Sequence, residues 1–207
     1  MAKEFDTSQE AFWAGEFGSE YVGRNQDDVV LAGRTHLMSK ALSRAQRVGS
    51  AVEFGANIGM NMHALRRLLP DVEPQAIEIN PAAAAELAKI EGLTLHLGSI
   101  LVPRVDHLYD LALIVGVLIH INPDALLAVY DNLYAASGRY ILVAEYYSPN
   151  PVSVLYRGHT DRLFKRDFAG EMLDRFSDLK LFDYGFCYRR DPNFPLDDIT
   201  WFLLEKS

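Results

Sequence analysis

Apolar and polar positions along the chain alternate between a helical and an extended period. From Asp27 to Arg47 the residues Val30, Leu31, Leu37, Met38, Ala41 and Leu42 recur on one helical face, and Gly49 marks the expected end of that helix. Ser50 to Phe54 then reads as a first strand, followed by a glycine turn and a helix that begins at Met60-Asn61 and runs to about Leu69, before Pro70. Gln75 to Ile79 is a second strand. Asn80-Pro81 supplies a cap and a first-turn proline for the helix AAAAELAKI. Leu93 to Leu97 is a third strand, closed by Gly98-Ser99-Ile100. Asp110 leads into LALIVGVLI, a near-continuous apolar run of the kind a central parallel strand shows when both its faces are buried. Asn122-Pro123 repeats the cap-plus-proline start for a helix to about Ala136, and Tyr140 to Glu145 is a fifth strand.

This alternation predicts an α/β domain with a mostly parallel sheet and helices on both faces. Beyond Glu145 the pattern changes. Tyr146 to Lys165 is a long irregular segment, a helix follows from about Asp167 to Phe176, and the strand-like runs Lys180 to Tyr188 and Ile199 to Glu205 form an antiparallel end to the sheet. At the other end, Phe12, Trp13, Phe17 and Tyr21 crowd a short segment that Thr7 or Ser8 would cap and Gly15 and Gly18 would interrupt. Its aromatics either dock a helix on the domain or form a lid over a ligand. The chain is read as a single domain, 1–207, with an N-terminal helical cap at 1–48 and a core at 49–207.

Composition narrows the function classes. With 207 residues there is enough chain for a three-layer core, and a formal net charge of -8 argues against a nucleic-acid partner. No apolar run approaches the ~20 residues of a membrane span. The start, MAKEFDTSQEAFW, lacks the apolar stretch of a signal peptide, so a cytoplasmic protein is expected. The single cysteine, Cys187, lies in an apolar-aromatic run and reads as a buried strand residue.

Chemistry concentrates on AVEFGANIGMN, residues 51–61. A dinucleotide fold would place glycines where Asn57 and Met60 stand, and no lysine follows Gly59 as a phosphate loop requires. What remains is E-x-G-x-N-x-G, with Glu78 at the end of the second strand about 20 residues beyond, placed to accept both hydroxyls of a ribose. Ser99 after the third strand and Gly116 in the fourth complete the set.

The series VEFGANIG, IEIN, GSI and LIVGVLIHI resembles the ligand-contacting motifs of S-adenosylmethionine-dependent methyltransferases of the Rossmann-like class. That class implies a three-layer fold with a mostly parallel seven-stranded sheet and an antiparallel last strand. The strings FWAGEFGSEYVGRN, GVLIHINP, AEYYSPNP, YRGHTDRLFKRDFAGEML and DDITWFLLEK resemble, across nearly the whole chain, the pseudaminic acid biosynthesis-associated methylases. The resemblance implies binding of S-adenosyl-L-methionine and release of S-adenosyl-L-homocysteine. Gly55, Asn57, Gly59 and Asn61 would line the amino-acid part of the cofactor, and Glu78 would hold the ribose with Ile79 against the adenine. Ser99 and Ile100 would lie at the adenine edge, and Val115 and Gly116 under the cofactor. Ser99 departs from the class, where an Asp commonly accepts from the adenine amine; a serine hydroxyl does so only weakly. Trp13 and Tyr21 would close over the sulfonium or simply pack the N-terminal helix.

Methyl transfer needs alignment, exclusion of water and, for a hydroxyl or amine acceptor, a base. His120 after the fourth strand is the first choice for that base, its alternative being a turn-packing histidine. Glu145 and Tyr147, at the fifth strand, complete the expected catalytic group. Tyr146, Arg157, His159 and Arg190 are expected to bind the substrate. Arg157 and His159 belong to a basic cluster with Arg162, Lys165 and Arg166, whose other reading is a solvated charge run. The expected activity is O- or N-methylation of a small acidic or sugar-derived acceptor connected with nonulosonic-acid or surface-glycan biosynthesis. Methylation in another small-molecule pathway and a non-catalytic cofactor-binding partner are the alternatives. No metal is expected.

Overall fold

The structure is a computed structural model that describes residues 5–24 and 27–207. Residues 1–4 of the N-terminal stretch and Asn25 of the aromatic segment lie outside the described residues. Thr7 caps the first helix, α1 (Ser8–Ala14), through a reciprocal box with Glu10, and Gly15 ends it. Gly15 opens α2 (Glu16–Tyr21), and a 3-10 turn, Val22–Arg24, follows. Gly18 does not interrupt α2. A Cβ there would lie 1.8 Å from the Trp13 carbonyl oxygen and 2.8 Å from Asn80 Nδ2, so glycine permits close packing rather than breaking the helix.

Asp27 caps α3 (Asp28–Leu42) by accepting the Val30 N–H. This helix stops well before Gly49. The chain turns at Ser43, whose hydroxyl donates to the Lys40 carbonyl, and Gly49 instead donates its N–H to Asp110 at 2.7 Å. There follow β1 (Ser50–Phe54), α4 (Met60–Leu68), β2 (Glu73–Glu78), α5 (Pro81–Leu87), β3 (Thr94–Leu97), β4 (Tyr109–Val115), α6 (Leu126–Ala136) and β5 (Ser137–Glu145). Helix α5 is shorter than its alanine run suggests, because tight turns at Lys89 and Ile90 fold Ile90 into the core. A two-stranded ladder of β6 (Val152–Ser153) and β7 (Phe164–Lys165) braces the long segment after β5. The chain ends with α7 (Phe168–Arg175), β8 (Leu179–Cys187) and β9 (Ile199–Lys206).

The seven-stranded sheet runs β3-β2-β1-β4-β5-β9-β8. β3, β2, β1, β4 and β5 are mutually parallel, and β9 is antiparallel to both its neighbours. The final strand thus inserts between β5 and β8 rather than extending the edge. Alternation along β4 sorts the core: Leu111, Leu113 and Val115 pack toward α3 and α4, Ala112 and Ile114 toward α6 and α7. The apolar run that begins at Asp110 is not one strand. Gly116 adopts a left-handed φ of 69°, and an oxygen of the buried Glu145 carboxyl group takes the Val117 and Leu118 N–H groups at 2.9 Å, so 118–120 coil into a 3-10 turn. This places the ends of β1, β2, β4 and β5 around one opening, partly roofed by α1 and α2.

Candidate cofactor and active site

The turn after β1 is held by backbone bonds from Gly55 and Ala56 to the Ile77 carbonyl, at 2.9 and 3.1 Å. Gly55, Asn57 and Gly59 all have left-handed φ values, of 76°, 48° and 85°. Their neighbours explain why two of them are glycine. A Cβ at Gly55 would meet Val117 at 2.8 Å, and one at Gly59 would meet Ile90 and Leu87 at 2.6 and 2.8 Å. Gly59 therefore serves the close approach of α5 and does not line the cavity, whereas a Cβ at Gly116 would point into open space, with nothing within 4 Å.

Beside this turn, Glu78 is buried, with one oxygen accepting the Asn57 N–H at 2.7 Å and the other the Asn80 N–H at 2.8 Å. Each oxygen keeps a lone pair for a ligand that can donate. Burial raises its pKa, and the backbone donors counter part of that effect. Asn80 also ties the roof down: its Oδ1 caps α5, and its Nδ2 donates to the Trp13 carbonyl at 3.0 Å. That bond holds Trp13 over the cavity.

The cavity is lined by Trp13, Tyr21, Gly55, Asn57, Asn61, Glu78, Ile79, Ser99, Ile100, Val115, Gly116, His120 and Tyr146 among the residues expected from sequence. It is also lined by Glu10, Arg34, Tyr156 and Asp197, which sequence reasoning passed over. Several of its polar atoms are buried without a partner: Arg34 Nε and Nη1, Asn57 Oδ1, Asn61 Oδ1 and Trp13 Nε1. Such groups are costly to leave unpaired, so a ligand able to pair them would be favoured here. A guanidinium with two buried unpaired nitrogens in the same cavity as two amide oxygens suits a zwitterion, carboxylate to Arg34 and ammonium to the asparagines. Asn61 is oriented for this by donating to Glu53 through Nδ2.

On the opposite side of the opening, the Tyr146 phenol is pushed up to about 12 by burial first and then by Asp197, Tyr21 and Tyr156, which face it; Arg34 opposes them. His120 sits between Trp13 and Tyr156, at ring distances of 4.7 and 5.1 Å. Its Nδ1 lies 2.6 Å from the Arg162 carbonyl, an oxygen that only accepts, so Nδ1 carries the proton and Nε2 is left with a lone pair. Burial pushes its pKa down to about 4, outweighing that carbonyl, and keeps the ring neutral at pH 7.

The other expected residues lie outside this cavity. Glu145 is a structural clamp on the Val117 and Leu118 N–H groups, so it shapes the turn that carries His120. Tyr147, the next but one residue, is exposed and leans on Phe202, because alternation after β5 sends it away from Tyr146. Arg157 and His159 lie on an exposed turn, the former over the Tyr156 ring and the latter against Phe12. Arg190 is exposed in the loop between β8 and β9. The rest of the basic cluster has local work: Arg162 pairs with Asp161, Arg166 with Glu171, and Lys165 lies over Tyr146. Among the described residues no group of three or more His, Cys, Asp or Glu side chains is arranged for a metal, and no helix is long and apolar enough to cross a membrane. Cys187 is buried at the end of β8, where burial raises its thiol pKa.

No protein-family model matches the chain, and no curated protein matches it by sequence. Solved structures do. A Burkholderia thailandensis 1,6-didemethyltoxoflavin-N1-methyltransferase, with its substrate and S-adenosylhomocysteine bound, aligns over 100% of this chain and 93% of its own at 16% identity, with a TM-score of 0.68. A Leishmania major S-adenosylmethionine-dependent methyltransferase aligns over 95% and 81% at 16% identity and a TM-score of 0.69. The magnesium protoporphyrin IX methyltransferase of Synechocystis, with bound S-adenosylmethionine, aligns over 99% and 100% at 11% identity and a TM-score of 0.68. These likenesses establish the Rossmann-like methyltransferase fold.

Proposed function

We propose that the protein is an S-adenosyl-L-methionine-dependent methyltransferase acting on a small polar acceptor. The observation that carries this reading is the Glu78 carboxylate, presented to the cavity by the N–H groups of Asn57 and Asn80 at the end of β2. It suits the ribose diol, while the unpaired Arg34 guanidinium and the Asn57 and Asn61 amide oxygens suit an α-amino acid. A dinucleotide would leave that second set unmatched. Ile79 and Ile100 offer apolar contact for a base, and Gly116 leaves room for close approach. When bound, the cofactor supplies an electrophilic methyl group on a sulfonium.

The chain's own residues hold and orient the acceptor. His120 Nε2 accepts the hydrogen of an acceptor hydroxyl or amine and fixes its lone pair toward the cofactor. With its pKa near 4 it is a weak base, so orientation outweighs proton abstraction in its role. Tyr21, Tyr146, Tyr156 and Asp197 give this side hydroxyls and one acid, which favours a hydroxyl-rich or amine-bearing acceptor. Arg157, His159 and Arg190 would meet only the outer parts of such a molecule. A sugar-derived acceptor fits these groups better than a strongly acidic one, and its link to nonulosonic-acid chemistry rests on the sequence resemblance alone. The small-molecule acceptors of similar folds support the general class.

Calorimetry with S-adenosylhomocysteine tests the cofactor reading, with Glu78→Ala expected to weaken binding by about 100-fold through loss of charge-assisted hydrogen bonds. Methyl-labelled cofactor offered with nucleotide sugars and nonulosonic acids then tests transfer. Binding without label transfer to any acceptor would favour a non-catalytic partner.

A further inference from the structure

We infer that Glu10, carried by the N-terminal helix, is the acceptor for the exocyclic amine of the cofactor's adenine, filling the place that Ser99 does not. This rests on the cofactor reading above. Ser99 has given its one donor and one of its two lone pairs to the protein, which leaves a single neutral lone pair. Its hydroxyl proton goes to Glu10 Oε1 at 2.5 Å, and its oxygen accepts the Leu101 N–H at 3.0 Å. The serine therefore acts as a bracket for the glutamate, whose carboxylate oxygen is the stronger acceptor for an amine.

The two oxygens of Glu10 divide their work. Oε2 belongs to the helix cap, accepting from the Asp6 and Thr7 N–H groups at 3.0 and 2.8 Å and from the Thr7 hydroxyl at 3.1 Å. Oε1 accepts from Ser99 and keeps a second lone pair. Glu10 as a residue is only 8% exposed, yet it lines the cavity beside Ser99, Ile100, Leu101 and Ile79. An acidic oxygen at the rim of an apolar slot accepts from an amino group and repels a carbonyl in the same position. Adenine carries the amino group there; hypoxanthine carries the carbonyl. Residue 10 is held at this place by Ser99 itself, by Gln9 donating to the Asp161 carbonyl, and by Asn80, which pins the end of α1 to the start of α5. The roof thereby takes part in selecting the cofactor.

The test is calorimetric titration of wild type and Glu10→Gln with S-adenosyl-L-homocysteine and with S-inosyl-L-homocysteine. Glutamine keeps the capping box with its one oxygen, which sets its NH2 group beside Ser99, where it can donate to the serine oxygen and to a ligand carbonyl. Wild type is expected to prefer the adenosyl compound by roughly 10- to 100-fold, the range for one charge-assisted hydrogen bond. Glu10→Gln should shrink that preference by more than about fivefold, mostly by gaining the inosyl compound. Wild type binding the adenosyl compound while Glu10→Gln keeps the preference unchanged overturns the inference and leaves the cofactor reading intact. Failure of wild type to bind either compound overturns the cofactor reading. Should the variant not fold, a crystal structure of wild type with S-adenosylhomocysteine decides. An amine nitrogen within about 3.2 Å of Glu10 supports the inference, and a longer separation overturns it.

Discussion

Glu53 and Glu145 are carboxyls at which burial outweighs every favourable neighbour, and both are pushed up to about 8 from an ordinary value of 4.5. Each also leaves its second oxygen unpaired, as suits a group held neutral. The linkage sign follows. Between pH 4.5 and 8 the folded chain keeps protons that the unfolded chain has lost, so their contribution to stability falls as pH rises. His120, lowered from 6.5 to about 4, acts in the opposite sense between those values and is silent above them. The ligand-free protein should therefore lose thermal stability from about pH 6.5 to pH 8, by at most about 1.4 kcal/mol per pH unit for each carboxyl. Glu145→Gln retains an oxygen for Val117 and Leu118 and should remove about half of that slope. Circular-dichroism melts across this range check it, and a melting temperature that rises with pH contradicts the assignment. At this scale the places of Glu78, Asn57 and Gly116 at the cavity were legible, because they follow from position relative to a strand end. Glu10 and Arg34 were not. Each has a sufficient local reading, a capping box for one and an ordinary helix charge for the other, and only the packing shows what else it faces.

Elements announced themselves through their ends. The Asn80-Pro81 and Asn122-Pro123 caps and the Gly55–Gly59 turn each solve a local hydrogen-bonding or steric problem, and local problems are written in neighbouring residues. The fourth strand misled for the converse reason. Its apolar run continues past Val115, and what stops it is the Glu145 carboxyl group from β5. The N-terminal helices show the same dependence. Their aromatics left docking and ligand cover equally open, and the Asn80 bond to Trp13 shows the helix docked with Trp13 at the cavity. Gly18→Ala places a methyl group against that joint and should undock α1 and α2. Cofactor affinity should fall about tenfold or more, equivalent to about 1.4 kcal/mol, with earlier proteolytic cleavage ahead of α3. A Cβ at Gly23 meets nothing within 4 Å, so Gly23→Ala is the matched control and should leave both unchanged.

For the molecule as a whole, a ligand that engages β1, β2 and β4 together with the roof should stabilise all of them at once. S-adenosylhomocysteine at about 100 times its dissociation constant should add about 2.7 kcal/mol and raise the melting temperature, whereas ATP and NAD should not. An equal shift with NAD would contradict the chemistry assigned to Arg34. The sequence by itself determined the alternating sheet and its antiparallel closure, because strand and helix periods and caps are local signals. It also determined the strand-end carboxylate and the absence of two other nucleotide motifs. The tertiary structure alone decided which polar groups share a cavity. Residues 10, 34, 78, 120 and 197 meet there because the sheet order brings strand ends together and the roof folds over them. It also moved Arg157, His159 and Arg190 out of that cavity, since loop charges are placed by packing at a distance and leave no periodic trace in their own segment.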